Sequence, residues 1–342
     1  DWMAKRAIKA GKEKEMTFET FISRDLFKGM NFDFIGKRKY SYWFSWILIA
    51  VGAIVVFMQG GFNLGVDFKG GRSYVVEFNQ AVPTDKVKEA LTDDFGGKGV
   101  EVKTFNGATK LKVTTSYLVE DESIVANNKV RTALETGWKD FASASPKVVS
   151  ESKVGATVAD DILMQSFVSI FYALIAIFIY ILIRFRKWQF SLGAIVALAH
   201  DALFVIAAFS IAGTFGANFE IDQVFIAAIL TVIGYSINDT VIIYDRIREN
   251  VENRGSRKLL KVFNDSINET LSRTLITSLT TLIVVVVLLF FGGEVLRGFS
   301  FALFIGITVG TFSSIYIATP IVVDLMKKEI EEDGSQKETK KG

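Results

Sequence analysis

Residues 227–250 read AAILTVIGYSINDTVIIYDRIREN. The first half is as apolar as lipid. Asn238 and Asp239 then interrupt the run, and Asp245, Arg246 and Arg248 close it. A helix needs about 20 apolar residues to cross a bilayer core. A charged side chain inside such a stretch costs ~2.5–3.5 kcal/mol even on the mild insertion scale, so it faces a bundle interior, pairs, or lines an ion path. Asp239 therefore bears on both the fold and the function. It lies ~26 Å of helix beyond Asp222, deep in the span, and shares a face with Ser236 and Ile243. Asp245, Arg246 and Arg248 belong at the lipid–water boundary, where they set topology.

The rest of the chain fits that reading. Of 342 residues, 50% are hydrophobic and 30 are Phe. There is no Cys and only one His, His200, which excludes disulfides, thiol chemistry and a multi-histidine metal site within the chain. The net charge of +2 suggests no polyanion partner such as nucleic acid. Apolar runs of spanning length lie near 41–59, 162–183, 190–213, 222–245, 274–292 and 298–324. Lys and Arg crowd residues 1–39, the turn with Arg184, Arg186 and Lys187, the loop from Arg246 to Lys261, and the tail at Lys327 and Lys328. The opposite turns are nearly bare, with only Arg297. Six spans put both termini in the cytoplasm and the long loop outside.

The expected organisation is a cytoplasmic linker and interfacial segment at 1–39, a first span at 40–60, an extracytoplasmic domain at 61–160, five spans at 161–325, and a charged, disordered tail at 326–342. Residues 24–36, RDLFKGMNFDFIG, mix basic with apolar side chains and suggest a segment lying in the membrane interface. Within 72–154, Tyr74, Val76 and Phe78 alternate as in a strand. Pro83 opens a helix with Val87, Leu91 and Phe95 on one stripe. Strands near 99–105 and 109–115 flank Asn106-Gly107, a hairpin signal. A second helix shows Val130, Leu134, Trp138 and Phe141, and a last strand falls near 147–153. The order β-α-β-β-α-β predicts a ferredoxin-like α+β domain with no catalytic constellation. GVDFKGGRS, residues 65–73, faintly suggests a phosphate loop, but it lacks the Lys after the last Gly and precedes a strand instead of opening a helix.

Other polar residues in the spans are candidates for function. Arg273 opens the fifth run, LSRTLITSLTT, and its side chain is long enough to reach toward Asp239. A nearby cation keeps a carboxylate ionised, so moving it away is a route to proton uptake. His200-Asp201 falls near the middle of the third span, where either residue serves an ion path or a contact between helices. GITVG, Gly306 to Gly310, followed by Ser313 and Ser314, is a close-packing pattern.

GVDFKGG (65–71), ALAHD (197–201), VIGYSINDTVIIYDRIREN (232–250) and SRTLITSLTTL (272–282) together resemble the SecF family of protein-export membrane subunits, in order and over nearly all of residues 30–325. The resemblance implies a six-span bundle of the resistance-nodulation-division type with a ferredoxin-like domain after the first span. It implies work with SecD, driven by a proton or sodium gradient, to draw preproteins from the SecYEG channel across the bacterial plasma membrane. It implies no enzyme activity and no cofactor beyond the coupling ions. Asp239 and Arg273 match the family's transport residues, with Asn238 and Asp201 as further relay candidates and Asp67, Gly70 and Gly71 as its extracytoplasmic motif. Residues 1–30 are not a usual SecF start, which implies the SecF half of a fused SecDF. A scaffold bridging the Sec channel to the insertase YidC, with Asp239 as a lock between helices, is the alternative. A small-molecule efflux permease is a weaker third reading.

Overall fold

The computed structural model describes residues 31–96, 100–105, 107–121, 123–217, 219–254 and 259–326. Among the described residues, six helices are long and apolar enough to cross a membrane. They are α1 (Arg38–Met58), α5 (Ala156–Phe185), α6 (Trp188–Thr214), α7 (Gln223–Arg254), α8 (Leu259–Phe291) and the span Leu296–Met326. This last span is built from α9 (Gly293–Ser313), a π-turn (Ser314–Ala318) and a helical continuation to Met326. Between α1 and α5 stand α2 (Val66–Lys69), β1 (Gly71–Glu77), α3 (Thr84–Asp94), β2 (Val100–Thr104), β3 (Lys110–Thr115), α4 (Ile124–Gly137) and β4 (Lys147–Val154).

The sheet runs β2-β3-β1-β4 and every pairing is antiparallel. With helices in the β1–β2 and β3–β4 connections, this is the split arrangement expected from the sequence. Period-two alternation turns Tyr74 and Val76 of β1, with Leu111 and Val113 of β3, toward the helices. Val87 and Leu91 of α3, Phe95 just after it, and Val130 and Leu134 of α4 complete that core. The Ser123 hydroxyl accepts from the Ala126 N–H and so starts α4. This helix ends at Gly137. Phe141, expected on its face, belongs instead to a 3-10 turn at Lys139–Ala144.

Two glycines join the domain to the bundle. Gly70 and Gly71 take φ of +67° and +141°. A Cβ on Gly71 would lie 2.9 Å from the Thr115 carbonyl oxygen, and one on Gly70 would lie 3.2 Å from the Ala156 Cα. Only glycine accepts both the backbone conformation and the crowding.

The bundle packs around two aromatic cores. Phe209, Phe219, Phe225 and Phe301 cluster at the end nearer the α/β domain. Phe185, Phe190, Tyr244 and Phe263 cluster at the far end. Between them α7 and α9 cross closely, because Gly306 abuts Val232 and Gly310 abuts Ser236. The outward faces of α1 and α5 carry exposed Trp43, Trp46, Phe171 and Ile183, which suits a lipid environment.

Two features differ from the hydropathy reading. α8 begins at Leu259, well before the apolar run at 274, so Arg273 sits inside the helix. The added turns are amphipathic: Leu259, Val262, Phe263, Ser266, Ile267 and Thr270 are buried at helical spacing. Of the segment expected to lie in the membrane interface, residues 31–36 are described. Phe34 and Ile35 are buried in the far-end core. Asn264 of α8 accepts from the Phe34 N–H at 2.8 Å and donates to the Phe32 carbonyl at 2.8 Å. Asn268 makes the matching pair with the Phe32 N–H and carbonyl. Residues 1–30, the tail from 327 and Asn106 of the expected hairpin lie outside the described residues.

Candidate functional site: two buried carboxylates

Asp201 of α6 and Asp239 of α7 are both fully buried. Their surroundings differ. Asp201 Oδ2 accepts from the Ser236 hydroxyl of α7 at 2.6 Å and from the Ser313 hydroxyl of α9 at 2.9 Å. Its Oδ1 lies 3.0 Å from His200 Nδ1. Three groups thus converge on this carboxylate, and it ties three spans together. The other ring nitrogen, His200 Nε2, is buried without a partner among the described residues, and the ring lies beside Phe204 and Phe312.

Asp239 is held loosely. Its Oδ2 lies 3.3 Å from the Ser278 hydroxyl of α8 and 3.4 Å from the Thr311 hydroxyl of α9. Those two hydroxyls are 2.6 Å from each other, closer than either is to the acid. A hydroxyl has one proton to give. One of the two spends it on the other, and Thr311 also lies 3.0 Å from the Ile307 carbonyl, so Oδ2 receives at most one long hydrogen bond. Oδ1 is buried and has no partner among the described residues. A carboxylate left in that condition is costly as an anion and invites a proton or a cation.

Arg273 does not close the gap. It is exposed on α8 and forms no ion pair among the described residues. Asn238, Thr231 and Gly234 are exposed on the neighbouring helix α7, and Thr280 is exposed on α8 itself. Tyr235 donates to Thr281 at 3.3 Å across the same α7–α8 surface. Arg273 and Asn238 therefore lie on an outward polar face, and Asp239 lies behind it. Ser236, Asp239 and Ile243 all point inward, as their spacing predicted.

Asp67 is placed elsewhere. Its Oδ2 accepts from the Gln223 N–H at 3.2 Å, at the start of α7. Gly70 and Gly71 form the tight connection already described and touch neither buried acid.

The hydroxyls of Thr240, Ser278 and Thr311 were not singled out by sequence. Thr240 Oγ1 lies 2.8 Å from Ser314 Oγ, the first residue of the π-turn. Local widening of this kind is frequent at functional sites.

Residues 133–328 match the family described as "Protein export membrane protein SecD/SecF, C-terminal", and residues 55–82 match "SecD/SecF GG Motif". The chain belongs to the SecF family. It is 45% identical over 301 residues to a protein translocase subunit SecF from Rhodothermus marinus, covering 88% of this chain and 95% of the relative. A second SecF, from Thermodesulfovibrio yellowstonii, is 39% identical over 304 residues, covering 88% of this chain and 96% of the relative. The crystal structure of SecDF, a translocon-associated membrane protein from Thermus thermophilus, superposes with a TM-score of 0.78 at 32% identity. It covers 95% of this chain, which spans 42% of that longer one. A super-membrane-facing form of SecDF matches less closely, with a TM-score of 0.58 at 32% identity, over 90% of this chain and 40% of that one. This SecF-family chain is thus a multi-pass membrane protein of the export machinery, with the bundle-plus-α/β architecture of SecDF.

Proposed function

We propose that this chain works with SecD to couple an ion gradient to preprotein movement through the SecYEG channel. Asp239 is the group that takes up and releases the coupling ion, a proton or sodium. The observation that carries this reading is the buried, partnerless Oδ1 of Asp239. The polar face of Arg273, Asn238, Gly234 and Thr280 supports it, since hydrocarbon is a poor solvent for an exposed guanidinium and amide. The membrane helices of SecD are the natural cover for that face. Asn238 and Arg273 would then stand between the SecD helices and Asp239. Arg273 approaches Asp239 when the acid is charged and leaves when it is neutralised.

The chain would sit in the bacterial plasma membrane with both termini cytoplasmic and the α/β domain outside. One elementary charge crossing 100 mV yields ~2.3 kcal/mol, so a large stroke requires several ions. No cofactor and no bond-making chemistry enter this account. Asp201, with its three converging partners, acts in it as the tie that keeps α6, α7 and α9 together as they move.

The scaffold reading has its own observation, since Asp239 touches both α8 and α9. In that role the chain would bridge the channel to YidC without carrying charge. The two readings separate on an Asp239→Asn variant, which keeps the shape and the hydrogen bonds of the side chain. In inverted membrane vesicles it should assemble with SecD yet lose stimulation of export by the gradient. Export stimulated as strongly as in the parent chain would rule out the ion-coupled reading and leave the scaffold.

A further inference from the structure

The end of α7 nearest the α/β domain is bound to that domain by a compact set of contacts. Residues 63–65 and 221 form a short parallel bridge. The Ile221 N–H donates to the Asn63 carbonyl at 2.8 Å, and the Gly65 N–H donates to the Ile221 carbonyl at 2.9 Å. Two side chains grip the sheet from this bridge. Glu220 pairs with Lys112 of β3 at 2.7 Å, with the carboxylate only 12% exposed. Asn63 Oδ1 accepts from Lys103 of β2 at 3.0 Å, while its Nδ2 donates to the Phe219 carbonyl at 2.7 Å. Asp67 then accepts from the Gln223 N–H, which binds the segment after α1 to the first turn of α7.

We propose that residues 63–67 and 219–223 form a mechanical joint that hands displacement of α7 to the extracytoplasmic sheet. Glu220–Lys112 and Asn63–Lys103 are its two grips, and Asp67 is its latch. The inference rests on the reading of Asp239 as the ion-coupled group.

Geometry favours this route. The domain is joined covalently to α1 and α5, neither of which carries a buried carboxylate. α7 carries Asp239 and meets the sheet through the joint. The contacts hold two neighbouring strands, so they restrain rotation of the sheet as well as its distance from α7. A partly buried charge pair and a main-chain bridge are stiff compared with an exposed loop. The Asn63 amide is fixed in orientation by having a cation on its oxygen and a carbonyl on its nitrogen. Asp67, Glu220 and Lys112 are accordingly positioning residues. This gives the aspartate of the GVDFKGG segment a task distinct from that of the two glycines.

The test uses the full chain with SecD in inverted vesicles. Lys112→Glu and Glu220→Lys should each lower gradient stimulation of export at least fivefold. Export with the gradient collapsed, and recovery of the SecD complex, should stay within twofold of the parent. The double exchange, which restores opposite charges, should regain at least half of the stimulation. Single variants that keep full stimulation would overturn the joint, as would a double exchange that regains nothing. Asp239→Asn run alongside keeps the two ideas separate. If that variant is still stimulated, the ion-coupled reading fails; if it is not and the charge exchange behaves otherwise than stated, the joint alone fails.

A second measurement needs no transport. The chain has no native Cys, so spin labels at Asp93→Cys on the domain and Val224→Cys on α7 are specific. The distance between them should be narrowly distributed in the parent and broad in Lys112→Glu. Equal widths would also overturn the joint.

Discussion

Thr311 and Ser313, two residues apart on α9, reach different carboxylates: Thr311 lies against Asp239 and Ser313 donates to Asp201. A single turn of helix therefore borders both buried acids. Ser314, the next residue, meets Thr240 of α7. Any shift of this turn changes the environment of both acids together.

Removing one hydroxyl at a time should distinguish the roles of the two acids. Ser313→Ala leaves Asp201 short of a donor inside the bundle, and a buried acceptor deprived of its partner costs about 1–3 kcal/mol. Unfolding in detergent should show that loss. Thr311→Val conserves shape; it removes the long contact to Asp239 and the 2.6 Å contact to Ser278, whose hydroxyl can then give its proton to the acid. It should cost less than about 1 kcal/mol yet alter the ion dependence of export. Equal stability losses in the two variants would contradict the contrast between a firmly held Asp201 and a loosely held Asp239.

The paired glycines make a sharper structural prediction. Gly71→Ala puts a methyl against the Thr115 carbonyl at a backbone angle that side chains rarely adopt. A strained residue of this kind costs about 1–3 kcal/mol. The full-length variant should show a lower thermal midpoint, whereas Gly107→Ala, with nothing within 4 Å of its Cβ, should lose less. Equal midpoints for the two variants would refute the crowding argument.

Asp222, at the start of α7, links stability to pH. Burial holds its carboxyl above the ordinary value, and the charges of Asp67 and Glu220 add to this against the Phe225 N–H and Lys112. The folded chain thus keeps a proton that the unfolded chain has already released. Its stabilising share is complete below the ordinary carboxylate value and fades as pH rises through the raised one. Asp222→Asn retains the cap on the Phe225 N–H, because an amide oxygen accepts as well as a carboxylate. Thermal midpoints measured from acid to neutral pH should fall less steeply in the variant than in the parent. Parallel curves would show that Asp222 is not the titrating group.

The clamp on residues 32–35 is open to hydrogen exchange. Asn264→Ala removes the acceptor of the Phe34 N–H. A lost hydrogen bond of about 1.4 kcal/mol raises exchange at that amide roughly tenfold. Unchanged exchange at Phe34 would mean that burial of the Phe34 and Ile35 side chains alone secures the segment.

How legible these features were in the sequence depended on their chemistry. Hydropathy exposed the six spans because each contains an apolar run that water would not tolerate. It placed the start of α8 too late, because Leu259 to Thr270 is amphipathic and does not look like lipid-soluble sequence. The β-α-β-β-α-β order was readable from alternation in β1 and the stripes of α3 and α4. Asp201 and Asp239 stood out because carboxylates in greasy helices are rare. Their hydroxyl partners did not. Most Ser and Thr in these spans bond to the carbonyl one turn back, as Ser166 does to Ile162 and Thr308 to Phe304. Nothing in composition separates those from Ser278, or from Thr311, which bonds to the Ile307 carbonyl as well as facing the acid. Arg273, expected to reach toward Asp239, is exposed on α8 and forms no ion pair among the described residues, but lies near enough for its charge to act on the acid.

The π-turn at Ser314–Ala318 has a consequence for how this chain can change over time. Such a turn amounts to one residue inserted into a regular helix. Removing one residue there would be absorbed by return to a regular helix, but removing a second would swing everything beyond it by about 100°. Val322 and Val323 would leave the core, and Asp324 would leave Arg38 and Tyr42 of α1. Hydropathy would score the shortened span as equally sound, but the protein would not assemble its first and last helices. Length in this part of the chain should therefore be guarded as strictly as the identity of either buried acid.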